Sequence, residues 1–174
     1  MNNRDKTRRM AVSSVLSALG VVMLYLGSMV EVLDMSMAVI ASLICVFAVI
    51  EYGKGYPWLI FSVTAILSVL LLPIKTSAVM YAVFFGYYPI IKEKLERLPR
   101  VVSWILKEVI FNVAFAVMAI LVMFVFTMGD VVIDLPYILG IVFLGELTFV
   151  LYDIAMTRII SLYIFKLRKR FKIK

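Results

Sequence analysis

Charged residues along this chain fall into clusters, and the stretches between them are apolar and of about the length a membrane helix needs, roughly 20 residues. Six such stretches are predicted as spans, over residues 9–28, 36–51, 57–72, 77–91, 101–128 and 136–165. The runs are continuously apolar and lack the alternation of barrel strands. The expected fold is therefore all-α, a single six-helix polytopic membrane domain over residues 1–174. Local signals agree with these boundaries. Gly53, Lys54 and Gly55 make a tight turn, and Pro57 suits the first turn of a helix, where a missing N–H costs nothing. Tyr56 and Trp58 mark an interfacial belt. The fourth stretch is short and aromatic, and Pro89 is expected to kink or end it. Residues 92–100 (KEKLERLPR) read as an amphipathic interfacial segment.

Composition strengthens the membrane reading. The chain is 64% hydrophobic and 17% charged with a mean hydropathy of +1.07, against about 45–50% apolar residues in soluble domains. The first apolar stretch is long and is followed by no small-residue cleavage site and soluble domain, so it is read as a retained span and not a signal peptide.

The net charge of +7 does not point to nucleic acid, because the basic residues lie at span ends. One face collects Arg4, Lys6, Arg8 and Arg9, Lys54, residues 92–100 and the basic tail, while Lys75 is the single cation opposite. The positive-inside rule then predicts both termini cytoplasmic, in a multi-pass protein of the cell inner (plasma) membrane. Cys45 is the only cysteine and sits mid-span as a small hydrophobe.

Candidate chemistry is sparse. Gly53-Lys54-Gly55 lacks the spacing of a nucleotide-binding loop, histidine is absent, and no catalytic or metal-ligating constellation occurs, so no enzyme activity and no cofactor are expected. Ionisable groups within spans carry more information, since each costs about 2.5–3.5 kcal/mol at a helix centre and needs a partner or a cavity. On the fifth span Glu108 and Asn112 share a face, and on the sixth Glu146 and Asp153 do. Matching depths make Lys107–Asp153 or Glu108–Arg158 a plausible structural ion pair fixing helix register. Asn112 and Glu146 lie nearer mid-depth and fit either packing or a lined cavity. The acids Glu31, Asp34, Asp130 and Asp134 in the outer turns would favour a cationic or zwitterionic solute, or are simply permitted there. Tyr87 and Tyr88 read as an interfacial belt, and Tyr81 as a candidate for stacking on a ligand ring.

On the first span Ala11, Ser14 and Ala18 follow spacings of three and four, with Ser13 and Ser17 beside them. Small residues so spaced let membrane helices approach closely, whether the neighbour is a helix of this chain or another protein. A basic start running into a small-residue helix (RRMAVSSVLSALG), six spans in under 180 residues, short outer loops and no ATPase motif together resemble the substrate-binding S components of energy-coupling factor (ECF) transporters.

In that family an Ala-x-x-x-Ala motif on the first helix docks on a transmembrane coupling protein driven by ATPase subunits. Here Ser14 and Ala18 occupy that spacing, with serine for the first alanine, and Ala11 is followed four residues on by Val15. The resemblance implies uptake of a vitamin or other micronutrient, docking through Ala11, Ser14 and Ala18, and a ligand site drawn from Glu31, Asp34, Lys75, Tyr81, Asn112, Asp130 and Glu146. A similar layout occurs in the rod-shape-determining membrane proteins, which would make the chain a non-transporting scaffold of a cell-envelope complex.

Overall fold

The computed structural model describes residues 3–53, 55–126 and 135–167, and the elements in them are helical. Helix α1 spans Asn3–Met29, and a 3-10 turn, Glu31–Leu33, leads into α2, Asp34–Glu51. Helix α3 spans Tyr56–Leu71, α4 Thr76–Met80 and α5 Tyr88–Leu95, with a π-helical turn, Tyr81–Phe85, between the last two. Helix α6 covers Arg100–Phe126 and α7 Leu135–Leu162, which ends in a second π turn, Tyr163–Leu167. The chain divides into two compact units, residues 1–120 and 121–174.

The core of the first unit is built on the small residues of α1. This helix packs against both α2 and α3, and the residues it buries are Ser13, Ser17, Gly20, Leu24, Gly27 and Ser28. A Cβ at Gly20 would stand 3.0 Å from Thr64 Cγ2, and one at Gly27 only 2.8 Å from Met37 Cβ. The two glycines therefore set how closely α3 and α2 approach α1. Thr64 uses that closeness to donate from Oγ1 to the Ser17 carbonyl across 3.3 Å. The hydroxyls of Ser13 and Ser17 donate to carbonyls one turn back, at Arg9 and Ser13, so their burial leaves no hydroxyl donor stranded.

Helix α2 ends as the glycine turn predicts. Tyr52 and Gly53 both donate their N–H to the Ala48 carbonyl, and Gly53 takes the left-handed conformation at φ 57°, the residue best able to do so at a helix C-terminus. Pro57 sits at the start of α3, where no intrahelical bond is lost.

The expectation of six spans is corrected. Among the described residues four helices are long and apolar enough to cross a membrane: Asn3–Met29, Asp34–Glu51, Arg100–Leu121 and Ile138–Lys166. The stretch expected as the third span is a shorter apolar helix, Tyr56–Leu71 of 16 residues, or about 24 Å against a hydrocarbon core of about 30 Å.

The stretch expected as the fourth span is not one helix. Pro89 has no N–H, and its ring crowds the carbonyl four residues earlier, so the α ladder cannot run on through this segment. The chain instead makes a π turn, in which the Gly86 N–H reaches the Tyr81 carbonyl at 2.7 Å, and restarts at Tyr88. The assignment of both termini to the cytoplasmic side, counted over six full crossings, loses its basis with that count. What stands is an all-α chain whose four long apolar helices are consistent with a multi-pass, membrane-embedded protein.

In the second unit, α7 buries Phe149, Tyr152, Asp153 and Met156 at spacings of three and four, while Leu139, Phe143, Leu144, Leu147 and Leu151 are exposed.

Candidate functional site

Helix α1 presents two distinct small-residue faces. Ser13, Ser17 and Gly20 point into the bundle, whereas Ala11, Ser14 and Ala18 are exposed. The spacing had left open whether the stripe meets a helix of this chain. The residues that α2 and α3 cover are the neighbouring serines and Gly20, and the stripe expected to dock a partner stays on the surface, flanked by exposed Val15, Leu19 and Val22. A signal for the buried face lay in the sequence: Ser13, Ser17, Gly20, Leu24 and Gly27 recur every three or four residues.

The expected ligand residues are spread over the molecule. Asp34 begins α2 and is buried, close to where Gly27 meets Met37. Lys75 lies in the turn before α4 and donates from Nζ to the Leu72 carbonyl at the end of α3, an interaction that satisfies a terminal carbonyl. These two positions share one end of the first unit, because Ser77, two residues after Lys75, donates to the Leu24 carbonyl at 3.2 Å. Glu31 belongs to the 3-10 turn at that same end.

Tyr81 is 1% exposed, packed in the bundle with its hydroxyl 3.2 Å from Cys45 Sγ and its ring 6.0 Å from that of Phe61. Asn112 is exposed and turns its amide back to the Glu108 carbonyl at 3.0 Å. Glu146 is half-buried on α7 in the second unit, and Asp130 lies outside the described residues.

Aromatic packing occupies the space around the π turn. Phe84 stacks on Tyr88 at 4.8 Å and meets Phe111 of α6 at 5.5 Å, and Phe61 meets Tyr87 at 6.0 Å. Gly86 is what allows this: a Cβ there would stand 2.5 Å from the Phe61 ring and 2.8 Å from that of Tyr81. Tyr88, expected as an interfacial residue, is fully buried.

An ion cluster joins α5 to α6, and of its members only Lys107 is among the ion-pair residues expected from the sequence. Lys92 is 1% exposed at its side chain and pairs with Glu96 at 3.0 Å; Lys107, also buried, approaches the same carboxylate oxygen at 3.6 Å and lies over the Trp104 ring at 5.4 Å. Two ammonium groups thus converge on one carboxylate. The signal for Lys92 is its i, i+4 spacing to Glu96, inside the segment 92–100 that reads as amphipathic and interfacial. Of the other expected ion-pair residues, Glu108 is half-buried on α6, Asp153 is buried on α7 and Arg158 is exposed.

Among the described residues no group of three or more His, Cys, Asp or Glu side chains is placed to hold a metal ion. The chain matches no family model, no curated protein and no solved structure.

Proposed function

We propose that the chain is the substrate-capture subunit of an ATP-driven micronutrient uptake system of the cell membrane, related in design to the S components of ECF transporters. The observation that carries this reading is the division of labour on α1: one small-residue face is spent on the bundle, and a second, Ala11-Ser14-Ala18, is exposed for a partner. A helix that needed only to anchor the chain would have no use for small residues on its outer face, where lipid is the neighbour and larger apolar side chains fill the contact equally well. The coupling protein and its ATPases are the partners assigned to that face.

Under this reading the solute is received at the end of the first unit that carries Asp34 and Lys75, and closure of the neighbouring turns retains it. Tyr81 supports that end from within the packed bundle and does not itself stack on the solute. The test is a thermal-shift screen of the purified full-length protein against vitamins and related micronutrients. A saturable ligand raises the unfolding temperature, and Asp34→Asn reduces that rise while the protein stays folded. A screen without any ligand, together with co-purification of cell-wall enzymes, favours the scaffold alternative instead.

A further inference from the structure

Apart from Lys75, the exposed cations of the first unit among the described residues gather at one end, and three contacts fix which end that is. Ser77 Oγ donates to Leu24 O at 3.2 Å, Tyr81 Oη lies 3.2 Å from Cys45 Sγ, and the Tyr87 ring lies 6.0 Å from Phe61. Leu24 is about 22 Å of helix from Arg9, Cys45 about 10 Å from Tyr52, and Phe61 about 8 Å from Tyr56. The chain from Ser77 to Tyr87 therefore advances toward the end at which Arg9 stacks over Tyr52 at 5.9 Å and Tyr52 meets Tyr56 at 6.2 Å. Helix α5 carries it further, and α6 starts there, tied back by Lys107 to Glu96.

At this end Arg4, Lys6, Arg8, Lys94 and Arg100 are exposed, and none of the five forms a salt bridge among the described residues. The nearby acids do not cancel them: Glu96 is engaged by Lys92 and Lys107 and Glu93 by Arg97, and Asp5 and Glu51 are two carboxylates against five cations. Both tryptophans of the chain belong to the same end, Trp58 in the first turn of α3 and Trp104 near the start of α6, each partly exposed. Clusters of four to eight basic residues beside an apolar helix attract anionic headgroups, and tryptophan settles at headgroup depth.

We propose that this end of the unit is a binding surface for anionic phospholipid headgroups, with those five cations holding phosphate and Trp58 and Trp104 lying at the depth of the lipid glycerol. The proposal rests on the membrane-embedded reading and is independent of transport.

The test uses the full-length protein in nonionic detergent, titrated with brominated phosphatidylglycerol or brominated phosphatidylcholine while tryptophan quenching is read. Phosphatidylglycerol is expected to reach half-quenching at about fivefold lower concentration, the equivalent of one cation counted in full. That preference is expected to vanish in about 0.5 M salt, where screening acts within a few ångströms, and in the R4Q/K6Q/R8Q/K94Q/R100Q variant. Equal half-quenching by the two lipids in the unmodified protein overturns the proposal, as does a preference that survives both salt and the five substitutions. If the variant fails to fold, the salt dependence of the unmodified protein decides. Quenching by neither lipid overturns the membrane-embedded reading along with the proposal.

Discussion

Gly86 shows how one residue carries the packing of a segment. It has no space for a methyl group: the atoms that a Cβ would meet belong to two aromatic rings, of Phe61 and Tyr81, each itself held by neighbours. Gly140 on α7 is the natural control, since nothing lies within 4 Å of its Cβ position. Gly86→Ala is expected to destabilise the protein by about 1–3 kcal/mol through overpacking, whereas Gly140→Ala changes stability by less than about 1 kcal/mol, and favourably, through helix propensity. Cys45 offers the readout, because the lone thiol is fully buried and a thiol-reactive fluorophore reaches it only on unfolding. The midpoint of that labelling on heating should fall for Gly86→Ala and hold or rise for Gly140→Ala. At this scale the sequence was only partly legible. The residues of the aromatic segment were plain, but Tyr81 was expected to meet a ligand ring and is instead closed in, since hydropathy does not report which side of a short helix its neighbours cover.

Elements in this chain are held by a few polar links set among apolar contacts. Glu96 bridges α5 to α6 by accepting from Lys92 on its own helix and from Lys107 on the next. Removing its charge leaves two buried ammonium groups without that carboxylate, and Glu96→Gln is expected to cost about 1–3 kcal/mol, below the range of about 3–5 kcal/mol for a fully buried pair because Glu96 itself is partly exposed. Arg97→Gln, which breaks a pair exposed on both sides, should change stability by less than about 0.5 kcal/mol. The two variants are compared by chemical or thermal unfolding in the same detergent. The long helices were legible at this scale because each contains a long stretch that is apolar with few charges, as Asp34–Glu51 shows. The fourth stretch was not, because length and hydropathy were satisfied by residues 77–91 while Pro89 and Gly86 dictated a π turn and a restart. A proline warns of a break, but neighbouring packing decides whether the helix bends or stops.

At the scale of the whole molecule, the four long apolar helices among the described residues are consistent with embedding in a membrane, and the proposed function turns on the outer face of α1. The sequence offered a stripe of small residues without saying which of them would be used inside. The answer depends on a rotation of about 100° per residue: Ser13, Ser17 and Gly20 meet Thr64 and its neighbours, and Ala11, Ser14 and Ala18 are left outside. Ala18 is therefore expected to tolerate enlargement within the unit, with a stability change under about 0.5 kcal/mol for a surface substitution, whereas Gly20→Leu would drive a side chain into Thr64. The decisive measurement is co-purification of the tagged full-length protein from its native membranes in mild detergent, with ATP hydrolysis assayed in the eluate. ATPase activity is expected with the unmodified protein and is expected to be lost with Ala18→Trp, while the labelling midpoint of Cys45 is unchanged. An eluate that lacks ATPase activity with the unmodified protein, or that keeps it in full with Ala18→Trp, would contradict the account.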